Sequence, residues 1–185
     1  CNITPQEYWR SYRRFLPAKI KGEEFIKRYG QSPDTVTQVQ PDETYSVRAC
    51  VEHAIYENAR VRRFIEILNT VKRTDRTSML EEAGDLMYAS HWSYKYKLAL
   101  GAQETDLLIR LTQEYFWGAN GRLFGAKITG GGSGGAVAVL AIGEIADILE
   151  DILHDYYIET GINARVFQGS SPGALQFGVR KMTLR

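Results

Sequence analysis

The sequence is poor in cysteine, in net charge and in long apolar runs, and each shortage excludes a class of protein. Its two cysteines, Cys1 and Cys50, cannot build a disulfide framework or a four-cysteine zinc site, so we expect a reducing, cytoplasmic environment. A net charge of +1 over 185 residues gives no electrostatic footprint for nucleic acid or an acidic membrane surface, and neither is expected as a partner. No apolar run is long enough to cross a bilayer.

The rest of the composition is that of an ordinary globular protein. Hydrophobic residues make up 44% and charged residues 24%, so nothing points to disorder. A chain of this length can form one domain with a substantial core, and we treat 1–185 as that domain. Because the sequence starts at Cys1 and not at Met, we expect a fragment from which part of the machinery is missing.

The first part of the domain, residues 1–118, has the apolar spacing of helices. Thr4 before Pro5 is typical of a helix start, since Pro is well tolerated at the first helical position. Five helices are predicted from such signals: Thr4–Phe15, Gly22–Gly30, 45–68, one capped by Ser78, and one with Leu107, Leu108, Leu111 and Tyr115 on one face.

The second part, residues 119–185, is rich in strand signals. Four strands are predicted, with a helix from Gly143 to about Thr160 between the second and the third: Leu123–Thr129, Ala136–Ile142, Ala164–Gln168 and Leu175–Met182. Strands that follow helices in one chain indicate an α+β fold. We therefore predict an antiparallel four-stranded sheet packed with helices.

The predicted helix after Gly143 has an acidic stripe that resembles a set of metal ligands. Its members are Glu144, Asp147, Asp151 and Asp155. Like charges at helical spacing normally face water, so we interpret the stripe as a solvated face and predict no metal site.

Between the first two strands lies a glycine-rich loop, the segment from Thr129 to Gly135. Its residues are Thr129, Gly130, Gly131, Gly132, Ser133, Gly134 and Gly135. A dinucleotide fingerprint needs a helix directly after the glycines, and a P-loop needs a closing Lys-Ser or Lys-Thr; neither follows here. A simple hairpin needs only one or two glycines. The composition therefore favours a loop whose backbone N–H groups form a concave nest for an anion.

Four stretches resemble the GHMP kinases, in the order expected for the arabinokinase and galactokinase branch. GAKITGGGSGG is similar to the third signature motif of that superfamily, and HAIYENARV to a His-x-x-x-Glu-Asn-x-Arg-Val stretch of the branch. LMYASHWS, followed by ETD, resembles the segment before the third motif, and LPAKIKGEEFIKRYG with GSSPGA completes the resemblance. It covers nearly the whole chain, but only the C-terminal half of such a kinase.

The resemblance implies the C-terminal domain, ferredoxin-like with elaborations, of a sugar kinase that uses ATP and Mg²⁺ to phosphorylate a monosaccharide, in this branch at the anomeric hydroxyl. Thr129 to Gly135 then contribute to the nucleotide-binding site. The main phosphate loop and the catalytic base belong to an N-terminal GHMP domain, which the resemblance implies as a partner. On that basis this chain alone is expected to be inactive, and its catalytic residues are unknown.

Several alternatives stay open on the sequence. Four polar residues could have a catalytic or ligand-binding role: His53, Glu57, His91 and Asp106. Because buried polar groups are normally hydrogen-bonded, we favour a structural role for them. Lys127 could reach a phosphate or line the sheet edge.

The segment 94–100 departs from the small residues typical of the branch, so the identity of the sugar substrate stays open. A different class is a stand-alone binding module, derived from a GHMP kinase, that holds a metabolite or a protein without turnover.

Overall fold

A computed structural model describes residues 2–34, 36–71, 77–169, 176 and 178. The regular elements in chain order are α1 (Pro5–Glu7), β1 (Ile20–Lys21), α2 (Gly22–Tyr29), β2 (Thr44–Tyr45), α3 (Val47–Thr70), α4 (Thr77–Leu98), α5 (Gln103–Tyr115), β3 (Leu123–Ile128), β4 (Val137–Ala141) and α6 (Ala146–Thr160). The five helices predicted in the first part and the helix after Gly143 are all present, as are the first two predicted strands.

The first predicted helix is irregular. Thr4 caps it as expected, because its Oγ1 accepts from the Glu7 N–H at 3.1 Å. After α1 the chain continues as a π-helical turn (Tyr8–Tyr12) and a 3₁₀ turn (Arg13–Phe15). Ionic contacts fasten this segment to α3, where the Glu52 carboxylate accepts from Arg13 Nε at 3.1 Å. The segment is therefore held by tertiary contacts more than by its own helical hydrogen bonds.

Helix α4 crosses β3 at very close range. A Cβ atom added at Gly84 would overlap the carbonyl oxygen of Phe124 and lie 2.5 Å from its carbonyl carbon. On the strand side, a Cβ added at Gly125 would strike the Gly84 backbone, with its oxygen 2.8 Å away. Glycine at both positions is therefore a condition for this packing.

Strands β3 and β4 form an antiparallel hairpin around the glycine-rich loop. Ile128 pairs with Val137 next to the loop, and Leu123 pairs with Ala141 at the far end. The register shifts between Leu123 and Gly125, so Phe124 is the extra residue of a bulge. The bulge lies where α4 crosses the strand.

One hydrophobic core joins α5, the start of β3 and α6. Its buried members are Leu107, Leu111, Ala119, Leu123, Ile148, Ile152 and Tyr156. Ile148 and Ile152 of α6 are buried in this core, and the partner surface of α6 is mainly α5 and not the sheet. In the acidic stripe, Glu144, Asp147 and Asp151 are exposed, whereas Asp155 accepts from the Tyr115 hydroxyl of α5 at 2.7 Å. Asp147 pairs with Arg122 Nη2 at 2.8 Å.

The predicted four-stranded sheet is not found among the residues that the structure describes. The described residues form two separate two-stranded antiparallel sheets, β1 with β2 and β3 with β4. Residues Ala164–Gln168 have no strand conformation; Phe167 is 88% exposed and Val166 46% exposed. An apolar alternation produces a strand only when one face is buried against a partner, and here neither side chain is. The fourth prediction, Leu175–Met182, lies outside the described residues except for positions 176 and 178.

Along the described segments, no helix combines the length and the apolar character that a membrane span requires.

Candidate functional site

The glycine-rich loop has a backbone that most residues could not adopt. Positive φ angles occur at Gly130 (70°), Gly132 (79°), Gly134 (103°) and Gly135 (105°). The loop closes where the Thr129 N–H donates to the Ala136 carbonyl oxygen at 3.0 Å. The glycines therefore serve a specific conformation, because L side chains are strained in this region of φ.

The loop is anchored at Gly132, which is buried while Gly130, Gly131 and Ser133 are exposed. The Gly101 N–H donates to the Gly132 carbonyl oxygen at 2.6 Å. A Cβ at Gly132 would lie 2.8 Å from Tyr94 Cδ1 and 3.2 Å from Leu100 Cδ1. One side of the loop thus packs on the turn between α4 and α5, and the exposed residues remain accessible to a ligand.

The turn that supports the loop is itself strained. Ala99 has a φ of 54°, which is uncommon for a residue with a side chain, and Gly101 has a φ of 104°. The Leu100 N–H donates to the Tyr94 carbonyl oxygen at 3.2 Å, which folds the end of α4 back on itself. Such strain persists only where surrounding contacts determine the conformation. Here those contacts are the ones that the turn makes with the loop.

His91 and Asp106 connect this turn to the end of β3. His91 Nδ1 accepts from the Ile128 N–H at 3.4 Å, so the ring proton is on Nε2, which donates to Asp106 Oδ1 at 3.0 Å. Burial lowers the pKa of His91, and the opposing charge of Asp106 does not reverse the shift, so the ring is neutral at neutral pH. Asp106 Oδ2 also pairs with Lys95 Nζ at 2.6 Å. The structural interpretation of both residues is supported: they tie α4, α5 and β3 together beneath the loop.

A second polar cluster lies around Glu57, between α3, α4 and β3. Its carboxylate accepts from Ser90 Oγ at 2.5 Å and from Arg60 Nε at 2.8 Å, and Lys127 Nζ is 3.4 Å away. Burial acts to raise the pKa of Glu57, but the hydrogen bonds from Ser90 and Arg60, with the charges of Arg60 and Lys127, outweigh it and lower the pKa. The carboxylate is therefore ionised at neutral pH.

The remaining sequence candidates have structural partners as well. His53 Nδ1 is 3.0 Å from Ser93 Oγ, and its ring meets that of Tyr94 edge to face at 4.7 Å. These contacts join α3 to α4 at Ser93 and at Tyr94, and Tyr94 also contacts the glycine-rich loop. Lys127 Nζ pairs with Glu57 and lies 5.4 Å from the Tyr94 ring centre.

A cleft of about 420 Å³ opens beside the start of the loop. Its polar wall is made by Glu57, Arg60, Ser90 and Lys127, and Thr129 and Gly130 border it. The rest of the wall is apolar: Val61, Phe64, Leu86, Met87, Ile128 and Ala138. Arg60 Nη2 is buried in this wall, 2.7 Å from Glu57 Oε2 but without the alignment of a hydrogen bond. A cleft of this size, with few polar groups on an apolar wall, is typical of small-molecule sites.

We expect the Glu57 cluster to make the protein's stability depend on pH in the acid range. A carboxyl whose pKa is lowered on folding contributes fully above its ordinary value of 4.5, and the contribution is lost as the pH falls through the folded pKa. Glu57→Gln should therefore lower the free energy of unfolding by about 1–3 kcal/mol at pH 7, and by much less near pH 3. Urea denaturation of both forms at the two pH values measures this.

The matched control for that measurement is Glu150→Gln, which removes one charge from an exposed glutamate of α6. If the loss in Glu57→Gln stayed the same at pH 3 and pH 7, the lowered pKa of Glu57 would be contradicted.

Comparison with known proteins gives the class to which this geometry corresponds. No family model matches the chain. Over 65% of this chain, it is 30% identical to the galactokinase of Thermosipho africanus. Over 80% of this chain, it is 29% identical to the galactokinase of Haemophilus influenzae. The chain is homologous to GHMP-type sugar kinases and matches a C-terminal fragment of one.

Within that class, the L-arabinokinase of Arabidopsis thaliana is similar to the entire chain, with 38% identity. The chain spans 18% of the length of that arabinokinase and about a third of the galactokinases, 31% and 34%. The similarity therefore concerns one portion of longer proteins.

Proposed function

We propose that the chain is the C-terminal domain of an ATP-dependent sugar-1-kinase, which transfers the γ-phosphoryl group of ATP to the anomeric hydroxyl of a monosaccharide. The observation that carries this proposal is the glycine-rich loop, fixed from one side by Tyr94, Leu100 and Gly101 and exposed on the other. Phosphoryl transfer depends mainly on positioning and on stabilising charge, and a preorganised set of backbone amides serves both.

In this proposal the loop residues Thr129 to Gly135 face the phosphates. Their positive φ angles are those that let successive N–H groups form an anion-binding concavity. The amides of Gly130, Gly131 and Ser133 are in the exposed part of the loop and are the donors that we assign to the phosphates. The buried side of the loop keeps these donors in place before the nucleotide arrives, so little reorganisation accompanies binding.

The described part of the chain has no preformed binding site for Mg²⁺ made of several protein ligands. No group of three or more His, Cys, Asp or Glu side chains there is arranged to hold a metal ion. Protein-bound Mg²⁺ in kinases is held largely by nucleotide phosphates with one or two carboxylates. Following the family resemblance, we assign the catalytic base to an N-terminal GHMP domain outside this chain. We assign the metal to the nucleotide phosphates together with that domain.

The sugar that we propose is L-arabinose, because the arabinokinase relative matches the whole chain, whereas the two galactokinases match less of it. Segment 94–100, which differs from the branch pattern, packs on the glycine-rich loop through Tyr94 and Leu100. That contact explains how a bulky residue is accommodated there without placing it in a sugar pocket.

The test is an assay of ADP release and of sugar phosphate by ³¹P NMR, on the full-length protein and on this chain alone. We expect L-arabinose-dependent turnover with an anomeric phosphate product in the full-length protein, and none in the chain alone, because the base and the main phosphate loop are missing. Turnover by the isolated chain would overturn the division of labour proposed here. A full-length protein that binds a sugar without any turnover would instead favour the binding-module alternative.

A further inference from the structure

A second cleft, of about 350 Å³, opens between α4 and the end of α5, away from the glycine-rich loop. Glu81, Asp85 and Tyr88 line it from α4. Their i, i+4, i+7 spacing places them on one helix face, whereas the Glu57 cleft uses Leu86, Met87 and Ser90 from the other face. The two clefts are therefore separate features of the same helix.

The lining of this second cleft is aromatic and acidic. Phe116 and Trp117 form its outer wall, with ring centres 5.1 Å apart and an interplanar angle of 78°, and Phe124 closes it from β3. Trp117 is 87% exposed, which is unusual for the largest apolar side chain. Among the described residues that line the cleft, the charged ones are both acidic, Glu81 and Asp85. Aromatic faces and carboxylates attract the same kind of ligand, because both are negative toward an approaching cation.

Tyr88, which lines the cleft, has an unsatisfied polar group. Its hydroxyl oxygen is buried without a hydrogen-bond partner among the described residues. Burial, together with the charge of Asp85, raises the pKa of Tyr88 to about 12, so the phenol stays neutral. A buried hydroxyl without a partner is costly, and a small shift of the Tyr88 side chain would let an N–H donor of a ligand in the cleft satisfy it.

We propose that this cleft binds a planar organic cation, an amidinium or guanidinium group. The flat cation stacks on Trp117, and its N–H groups donate to the carboxylates of Asp85 and Glu81 and to the Tyr88 hydroxyl oxygen. A planar fork of N–H donors suits this set of acceptors better than a spherical ion does, because stacking and carboxylate pairing are both satisfied at once. The proposal does not depend on the kinase assignment.

The experiment titrates the chain with benzamidinium and with benzamide, a neutral molecule of nearly the same shape, and follows amide NMR shifts. We expect benzamidinium to shift signals of Tyr88, Phe116 and Trp117 and to bind at least about tenfold more tightly than benzamide, a difference of about 1.4 kcal/mol. Nα-acetyl-arginine amide is a third probe. Tighter binding of that probe than of benzamidinium would indicate an arginine side chain of a protein as the natural source, and weaker binding a free small molecule.

Variants separate the proposed contacts. Asp85→Asn with Glu81→Gln should weaken benzamidinium binding about tenfold and leave benzamide unchanged, and Trp117→Leu should weaken both; these side chains are exposed, so the fold should persist. Glu150→Gln with Asp151→Asn, which also removes two exposed charges, is the charge-matched control on α6 and should bind as the wild type does. Equal affinity for the two probes, or unchanged benzamidinium affinity in the doubly neutralised variant, would overturn the proposal.

Discussion

Gly84→Ala is expected to lower the free energy of unfolding by at least about 3 kcal/mol, the upper end of the usual cost of overpacking. In an ordinary helix the same change would stabilise by up to about 1 kcal/mol, because alanine has the higher helix propensity. Here the added methyl group would overlap the backbone of Phe124, which cannot move aside as a flexible side chain would. The steric term should therefore outweigh the gain in propensity. Chemical denaturation of the isolated variant measures the difference.

Two further variants make this prediction specific to the crossing of α4 and β3. Gly125→Ala, on the strand side, should be destabilised to a similar extent, because its Cβ would strike the Gly84 backbone. Gly118→Ala has no atom within 4 Å of the new Cβ and should be close to the wild type in stability. If Gly84→Ala were as stable as Gly118→Ala, the helix and strand would not be as close as described.

The crossing also illustrates which parts of the fold were predictable. Helices α3, α4, α5 and α6 were found from apolar periodicity alone, because that signal repeats over many residues and is strong in long amphipathic helices. The two glycines at the crossing gave no such signal. A glycine within a helix or a strand indicates a close approach only when its partner is known, and here the partners are 41 residues apart in sequence, at positions 84 and 125.

The sheet was overpredicted for a related reason. The alternation in Val137–Ala141 and in Ala164–Gln168 is of the same kind, yet only the first pairs, because β3 is joined to it by the short loop. Strand pairing depends on a partner edge and on a buried face, and neither can be read from the sequence of the strand itself. The π-helical turn at Tyr8–Tyr12 was not predicted; in the structure this segment contacts Glu52 of α3 through Tyr8 and Arg13, partners that the local sequence does not reveal.

At the candidate site the loop itself was predictable, and its support was not. A run of glycines indicates a conformation with positive φ, and four of the glycines have it. The supporting residues Tyr94, Leu100 and Gly101 come from a helix end about 30 positions earlier, and only the unusual composition of segment 94–100 marked it as notable. Ser90 and Lys95, which pair with Glu57 and Asp106, carried no sequence signal that singles them out.

If the proposed kinase function is right, Gly132→Val in the full-length protein is expected to lower kcat at least about a hundredfold, the usual loss when one set of well-aimed backbone donors is removed, about 2.7–4 kcal/mol. Valine resists a φ of 79°, and its side chain would be driven into the Tyr94 ring. Steady-state kinetics with ATP and L-arabinose measure kcat, and thermal unfolding of the same samples reports stability. Gly118→Val, in open space outside the site, is the control for adding the same side chain.

The structure changes what such a result would mean for the fold. From sequence alone a substitution in a glycine loop should affect stability little, but Gly132 is buried against Tyr94 and Leu100. Some loss of stability is therefore expected with Gly132→Val, while Gly130→Ala, with a φ of 70° and open space around its Cβ, should have only the strain of about 1–3 kcal/mol. Wild-type kcat in a folded Gly132→Val enzyme would mean that the loop is a spacer.

The double variant Gly132→Ala with Tyr94→Ala distinguishes two causes of lost activity, displacement of the loop and distortion of its backbone. A Cβ at Gly132 would point toward the Tyr94 ring, on the buried side of the loop, so the methyl group of Gly132→Ala would push the loop without blocking its exposed amides. Removing the ring in the double variant should therefore restore about tenfold of the lost kcat relative to Gly132→Ala alone, a coupling of about 1.4 kcal/mol between residues in contact. Without recovery, the positive φ itself would set the loss, and displacement of the loop by the Tyr94 ring would be ruled out as its cause.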